Sequence, residues 1–375
     1  MAEKPDLRIG AAVAALRKRR GMTQHALAKQ FGVGSAQIIS TIEKGQRALK
    51  ASEAARLASI LSVPLSDLLS GPVTDDPFVL WRAEAEHDRV ARADEQALFL
   101  LRCRRYAFVE RLTDSGVASE LPQFSLRLDK ARFEDMEAWS NRVRNVLGLG
   151  DTPALQLRQA LEEHAGIKVF VSPLRGGSGA ATRGSFGAAI LENSDEPSSR
   201  RVFSLAHELF HLLTWDSVAA REEELTENER ERNEKLANAF GSALLMPESS
   251  VRQQVDSETS ARPAWHRLLP VAAAFAVSPT ALLFRMVNLK LTSKATAGEL
   301  EAIRRERNDG GEPRQEQPLP RRFVLLAFRA WCDGNISLGK LAEILETTVG
   351  LLEPTLAEYG VDMENDAQEA AGLPA

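Results

Sequence analysis

A chain of 375 residues is long for one hydrophobic core, and its 44% hydrophobic and 26% charged residues exclude a fibrous or disordered protein and predict two or three globular domains. No apolar run of about 18 residues is present and Met-Ala-Glu-Lys-Pro-Asp lacks a signal-peptide core, so a cytoplasmic chain with no membrane partner is expected. Residues 1–70 hold 11 Lys and Arg against 5 Asp and Glu, whereas the remainder holds 36 against 47, which points to nucleic acid at one end only.

That basic end, residues 1–70, reads as a series of short helices. Thr23 is a good N-cap, with Leu27, Ala28 and Phe31 as the buried stripe of a helix ending at Gly32. Ser35 caps the next helix, where Ile38, Ile39 and Ile42 face inward and Gly45 closes the end. Two short helices joined by a glycine turn make a helix-turn-helix, whose second helix can enter the major groove of double-stranded DNA. The pattern T-Q-x-x-L-A-x-x-x-G-V followed by I-S-x-I-E-x-G resembles the lambda-repressor-like (XRE) family, although the turn Gly32-Val33-Gly34-Ser35 is one residue longer than usual there. By that resemblance Gln24 approaches phosphate or base, and Ser35, Ala36, Gln37, Ser40 and Thr41 lie at the recognition helix. Gln37 is the best base reader, because a side-chain amide can make a bidentate contact to adenine. Arg17, Lys18, Arg19, Arg20, Lys44 and Arg47 would serve phosphates. Glu43 is expected to pair with an arginine of the first helix. A module of this fold that binds protein only is the alternative.

Residues 71–150 read as a linker followed by helices. Gly71-Pro72-Val73-Thr74-Asp75-Asp76-Pro77 opens it, residues 81–112 are helical as a spacer or a homodimer contact, and another helix covers 130–147. A domain is expected over 151–292. It starts with a helix from Asp151-Thr152-Pro153 to Gly166, then strands at 167–171 and 185–191, with glycine-rich Arg175–Gly179 as a loop. A strand just before the next helix could offer an edge to an extended peptide. Cys103 and Cys332 are far apart and read as reduced packing residues.

The next helix carries Phe203-Ser204-Leu205-Ala206-His207-Glu208-Leu209-Phe210-His211. In H-E-x-x-H, positions i and i+4 share a face, so His207 and His211 can offer two imidazole nitrogens to one metal ion, and Glu208 can hold a water and take its proton. Zinc suits imidazole and needs a third protein ligand and an open position. Thr214 and Ser217 stand where the longer H-E-x-x-H-x-x-G-x-x-H pattern needs Gly and His. Downstream, 227–246 reads as a helix, polar first and apolar later, stopped at Pro247. Glu234 heads its small, apolar face of Ala237, Asn238, Gly241 and Leu245, and an inward carboxylate needs a partner. Glu234 is thus the expected third ligand, with Asn238 supporting it, and Glu227 and Glu231 as rivals.

R-x-F-S-L-A-H-E-L-x-H followed by E-x-x-A-N-x-F-x-x-x-L-L-M-P resembles the ImmA/IrrE family of zinc metallopeptidases over roughly residues 150 to 290. Phe210 stands where that family commonly has Gly. The resemblance implies Zn2+ held by His207, His211 and Glu234, Glu208 as general base, and cleavage of a specific protein, usually a repressor. It also implies the fold class: multidomain and mainly α, with an all-α helix-turn-helix domain, an α+β zincin-like (gluzincin-type) peptidase domain and a C-terminal helical region. A regulator or antitoxin whose peptidase-like domain senses a ligand and cuts nothing is the alternative. After helices over 265–292, residues 293–320 read as a flexible linker, 321–360 as helices with a Ser337 cap, and 361–375 as a disordered tail.

Overall fold

A computed structural model describes residues 7–20, 22–61, 63, 65–69, 77–82, 89–261, 263–307, 317–363 and 365–366. They form two compact units, Met1–Pro77 with Asp88–Leu101, and Phe78–His87 with Arg102–Ala375.

The first unit contains α1 (Leu7–Arg19), α2 (Gln24–Phe31), α3 (Ala36–Glu43), α4 (Ala51–Ile60) and α5 (Leu65–Leu69). Thr23 Oγ1 accepts from the Ala26 amide and Ser35 Oγ from the Gln37 amide, so both expected caps are made. Gly32, at φ +74°, ends α2; the C-cap of α3 is Lys44, with Gly45 just beyond it. Val13, Leu27, Phe31, Ile39, Ile42, Leu57 and Leu68 form the core, with Ile38 packed at its margin.

The second unit begins with β1 (Val79–Trp81) and takes the latter half of α6 (Arg89–Leu112). Then come α7 (Phe133–Leu147), α8 (Leu157–His164), β2 (Lys168–Ser172), β3 (Gly179–Gly184), β4 (Gly187–Asn193), α9 (Ser198–Leu213) and α10 (Glu227–Leu245). Helices α11 (Glu248–Gln254), α12 (Ser257–Ala261), α13 (Trp265–Ala274), α14 (Pro279–Asn288), α15 (Lys294–Arg307), α16 (Arg321–Cys332), α17 (Leu338–Ile344) and α18 (Leu352–Ala357) complete it. The fold is multidomain and mainly α, as expected.

Several boundaries differ from expectation. Val79–Trp81, read as linker and helix start, is a strand, while 71–76 and 83–88 lie outside the described residues. The helix expected at 151–166 begins only at Leu157, after a 3-10 turn at Pro153–Leu155. β3 was not expected: Gly-Ala-Ala-Thr-Arg-Gly lacks the β-branched run that marks a strand. Lys294–Arg307, inside the expected linker, is a helix whose first turn is capped by Ser293 Oγ accepting from the Thr296 amide. Residues 308–316 and the tail 367–375 lie outside the described residues, but Val361, in the expected tail, is buried. The expected peptidase domain and C-terminal helices thus share one unit, whereas the expected spacer is divided, with 71–77 and 88–101 in the first unit and the rest in the second.

The sheet order is β1-β3-β4-β2, with β2 and β4 parallel and the other pairs antiparallel. β4, expected to present an edge, is bonded on both sides. Alternation in β2 sends Val169 into the core shared with α9, while Phe170 meets the rings of Tyr106 on α6 and Phe323 on α16. α9 is buried along Leu205, Ala206, Leu209, Phe210, Leu212 and Leu213. Each such fully buried Leu or Phe contributes roughly 2 kcal/mol by transfer from water. The H-E-x-x-H residues therefore sit on a central rod of the unit.

Candidate metal centre

His207 and His211 lie one turn apart on α9, with their Nε2 atoms 3.1 Å from each other. α10 crosses next to them and brings Glu234 in. Its Oε2 is 3.2 Å from His207 Nε2 and its Oε1 3.4 Å from His211 Nε2. Gly241 of α10 packs onto α9 there, where a Cβ would lie in van der Waals contact, 3.4 Å from the His207 amide nitrogen. Among the described residues, His207, His211 and Glu234 are the one group of His, Cys, Asp or Glu whose ligand atoms converge for a metal ion. Of the rivals, Glu231 pairs with Lys235 on the exposed face, and Glu227 is also exposed.

α10 is fixed at both ends. Thr226 and Glu229 form a reciprocal capping box at the start. At the other end the guanidinium of Arg144 donates to the Ala243 carbonyl at 2.6 Å, and that of Arg285 to the Met246 carbonyl at 2.9 Å. Both arginines are buried and satisfy carbonyls that a helix end leaves without partners. Glu234 is thereby held at a set depth against α9.

Asn238, one turn beyond Glu234, places its Oδ1 3.0 Å from His207 Nδ1. In the tautomer this bond favours, Nδ1 donates and Nε2 keeps its lone pair for the site. Burial pushes the His207 pKa down to about 4, with the Glu234 carboxylate opposing, so the imidazole is neutral at pH 7, as a metal ligand must be. Burial pushes the Glu234 carboxyl up, but the two histidines beside it outweigh burial and hold the acid below its ordinary value.

Glu208 is 1% exposed, and among the described residues neither carboxylate oxygen has a hydrogen-bond partner. Burial raises its pKa to about 7, opposed by His211 and Arg82. A buried acid without partners is costly, and such groups are retained where a ligand or reactant completes them. Two neutral imidazoles, one carboxylate and this orphaned acid are a donor set and a base that fit zinc.

Arg82, absent from the sequence-based reading, belongs to the same neighbourhood. It follows β1, and its guanidinium donates to Ser204 Oγ at 3.1 Å and to Asn238 Oδ1 at 3.5 Å. Its only sequence signal is the short apolar run Phe78-Val79-Leu80-Trp81 before it. Arg82 and Asn238 also line a cavity of about 1440 Å³ that extends along α10 to α13 and α14.

The expected DNA-contacting residues are distributed less evenly. Gln37 and Lys44 are exposed on and after α3, while Ala36, Ser40 and Thr41 are half-buried there. The Thr41 hydroxyl is spent on the Ile38 carbonyl at 2.8 Å, and Ser35 is the helix cap. Arg17, expected at phosphate, is buried and bonds Glu43 at 2.5 Å and 3.1 Å, as the helix-one partner expected for that acid. Gln24 is turned the same way, its amide donating to Glu43 Oε2 at 2.7 Å. Arg20 donates to the Ile60 carbonyl and Arg47 to Glu53, which leaves Lys18, Gln37 and Lys44 as exposed polar groups of the set, while the side chain of Arg19 lies outside the described residues.

Residues 8–69 match the family described as a helix-turn-helix domain, and residues 162–287 match the IrrE N-terminal-like domain of the M78 peptidases. None of the curated proteins compared with the chain matches it. Among solved structures, Bacillus thuringiensis PlcR in complex with the peptide PapR7 and DNA is 13% identical. That match covers 98% of this chain and 94% of that one, at a TM-score of 0.17. The apo competence regulator ComR of Streptococcus vestibularis is 14% identical, covering 98% and 99%, at a TM-score of 0.17. At that score neither likeness carries weight.

Proposed function

We propose that this chain, in which a helix-turn-helix domain precedes an IrrE N-terminal-like peptidase domain, is a DNA-binding regulator whose second unit hydrolyses a peptide bond in a specific protein. The observation that carries the reading is the convergence of His207, His211 and Glu234 beside a buried, unpartnered Glu208.

His207, His211 and Glu234 would hold Zn2+, which when bound polarises a carbonyl and acidifies water. The residues around it have distinct tasks. Asn238 keeps His207 in the tautomer that points a lone pair into the site. Glu208, whose pKa is raised to about 7, accepts the proton of the attacking water and returns it to the departing amine. His207, Glu208 and His211 are buried, and the site meets solvent on the side of the half-exposed Glu234. Family likeness makes a repressor the proposed substrate, and release of its operator the proposed consequence.

The first unit would read DNA through α3. Gln37 is the proposed base reader, with Lys18 and Lys44 at phosphates. The helices beneath are held by Arg17, Gln24 and Glu43 as an internal brace.

Incubation of the zinc-loaded chain with candidate repressors, followed by intact mass, tests the hydrolytic reading. Cleavage by the wild type and at least about a hundredfold less by Glu208→Gln is expected, the usual scale for a general base. Equal cleavage by both, or none by either with zinc bound, would leave a regulator whose peptidase-like domain is a sensor or an antitoxin-like binding unit.

A further inference from the structure

β1 pairs with β3 across a long sequence gap: Val79 faces Thr182, Leu80 faces Ala181 and Trp81 faces Ala180, in antiparallel register. The Arg82 amide extends the ladder to the Gly179 carbonyl at 3.1 Å, and the Thr182 hydroxyl donates to the Phe78 carbonyl at 2.8 Å. β3 is the strand whose start lies against the proposed base, since a Cβ on Gly179 would come within 3.7 Å of Glu208 Oε1. β1 therefore fills the outer edge of β3 right beside the candidate metal centre.

An open strand edge is a row of N–H and C=O groups that an extended peptide can add to. Among the described residues the sheet ends in β1 and β2, and the outer side of β1 is one strand removed from β3 and Glu208. β4 is paired on both sides, and on the free side of β2 the Val171 amide donates to the Pro318 carbonyl. The loop before β3 is shaped around the occupying backbone: Gly177 has φ +83°, and a Cβ there would lie 2.4 Å from the Arg82 carbonyl oxygen. The segment also reaches inward, because the Arg82 guanidinium touches Asn238, the residue that orients His207.

We propose that residues 78–82 hold in cis the edge used by an extended substrate, so that a peptide strand reaches the metal centre by displacing β1. The incoming strand takes the same antiparallel place on β3 and puts a basic side chain against Ser204 and Asn238. The substrate class is thus an extended segment with apolar residues preceding Arg or Lys. This rests on the hydrolytic reading for what happens next, but strand exchange itself needs no cleavage. A tethered strand competes at an effective concentration of order millimolar, so a free peptide binds weakly until the tether is loosened.

The test uses the full chain and a fluorescein-labelled hexapeptide, Pro-Phe-Val-Leu-Trp-Arg, copying residues 77–82, with binding read by anisotropy. Val79→Cys with Thr182→Cys places a disulfide across facing positions of β1 and β3. The oxidised chain is expected to bind the peptide at least tenfold more weakly than the same chain after reduction. A folding defect from the substitutions would strike both forms alike. Arg82→Ala in the chain is expected to tighten binding at least threefold, and replacing the peptide's Arg by Ala to weaken it at least threefold. Failure of the disulfide to form, or equal binding by oxidised and reduced chain, overturns the proposal. So does peptide binding that ignores the terminal Arg. Zinc content and the Glu208→Gln comparison are read separately, so a failed strand exchange leaves the hydrolytic reading standing.

Discussion

Asn238 Oδ1 stands 3.0 Å from Nδ1 of the fully buried His207. A histidine with one nitrogen tied to a fixed acceptor can present the other as a ligand in a single tautomer. Asn238→Ala is therefore expected to weaken zinc affinity by roughly 10- to 100-fold, the usual scale for such supporting partners. Competitive titration against a chromophoric chelator measures it. Asn238→Asp, which keeps the acceptor, is expected to lose less; equal losses would show that the bond does not orient the ligand.

In the first unit the Arg17–Glu43 pair is predicted to be structural. Arg17 is 8% exposed, and its guanidinium also donates to the Met22 carbonyl. Removing the acid strands a buried charge, so Glu43→Ala is expected to cost about 3 kcal/mol in the stability of this unit. Chemical denaturation followed by a probe in residues 7–69 reads it. Gln37→Ala should leave that stability within about 0.5 kcal/mol, as for an exposed position, yet weaken binding to a specific operator. A stability loss as large as that of Glu43→Ala would contradict its placement at a DNA-facing surface.

Glu162 sets a pH dependence in the second unit. Burial raises its pKa from 4.5 to about 8, opposed by Arg158 on its own helix and Arg322 on α16. Glu192 of β4 and Glu163 push the same way as burial. The folded state thus holds a proton that the unfolded chain has released between these two values. Stability is lost as pH rises through that window, by at most about 1.4 kcal/mol per unit. Glu162→Gln is expected to raise the melting temperature at pH 8 and leave it little changed at pH 4.5. An equal effect at both values would show that ionisation is not the cause.

Legibility in the sequence followed the range of the interactions concerned. The i, i+4 rule is local, so His207 and His211 were readable at once. Glu234 was readable because an acid heading a small-residue face has few options, and Gly241 does meet α9 closely. Thr23 and Ser35 announced their helices through caps, which also act within a turn. β1 and Arg82 were not readable, since Arg82 finds its partners 122 and 156 positions away and β1 is only 3 residues long. The helix α15 did carry a local signal, the Ser293 cap, but the glycines and prolines after it drew the expected linker too far back.

The most direct measurement of the central claim is zinc per chain by elemental analysis, for the wild type, His211→Ala and Glu234→Ala, each after dialysis against a weak chelator. The account predicts one zinc in the wild type and little or none in either variant. Zinc absent from the wild type under zinc-replete purification, or retained in full by Glu234→Ala, would contradict it.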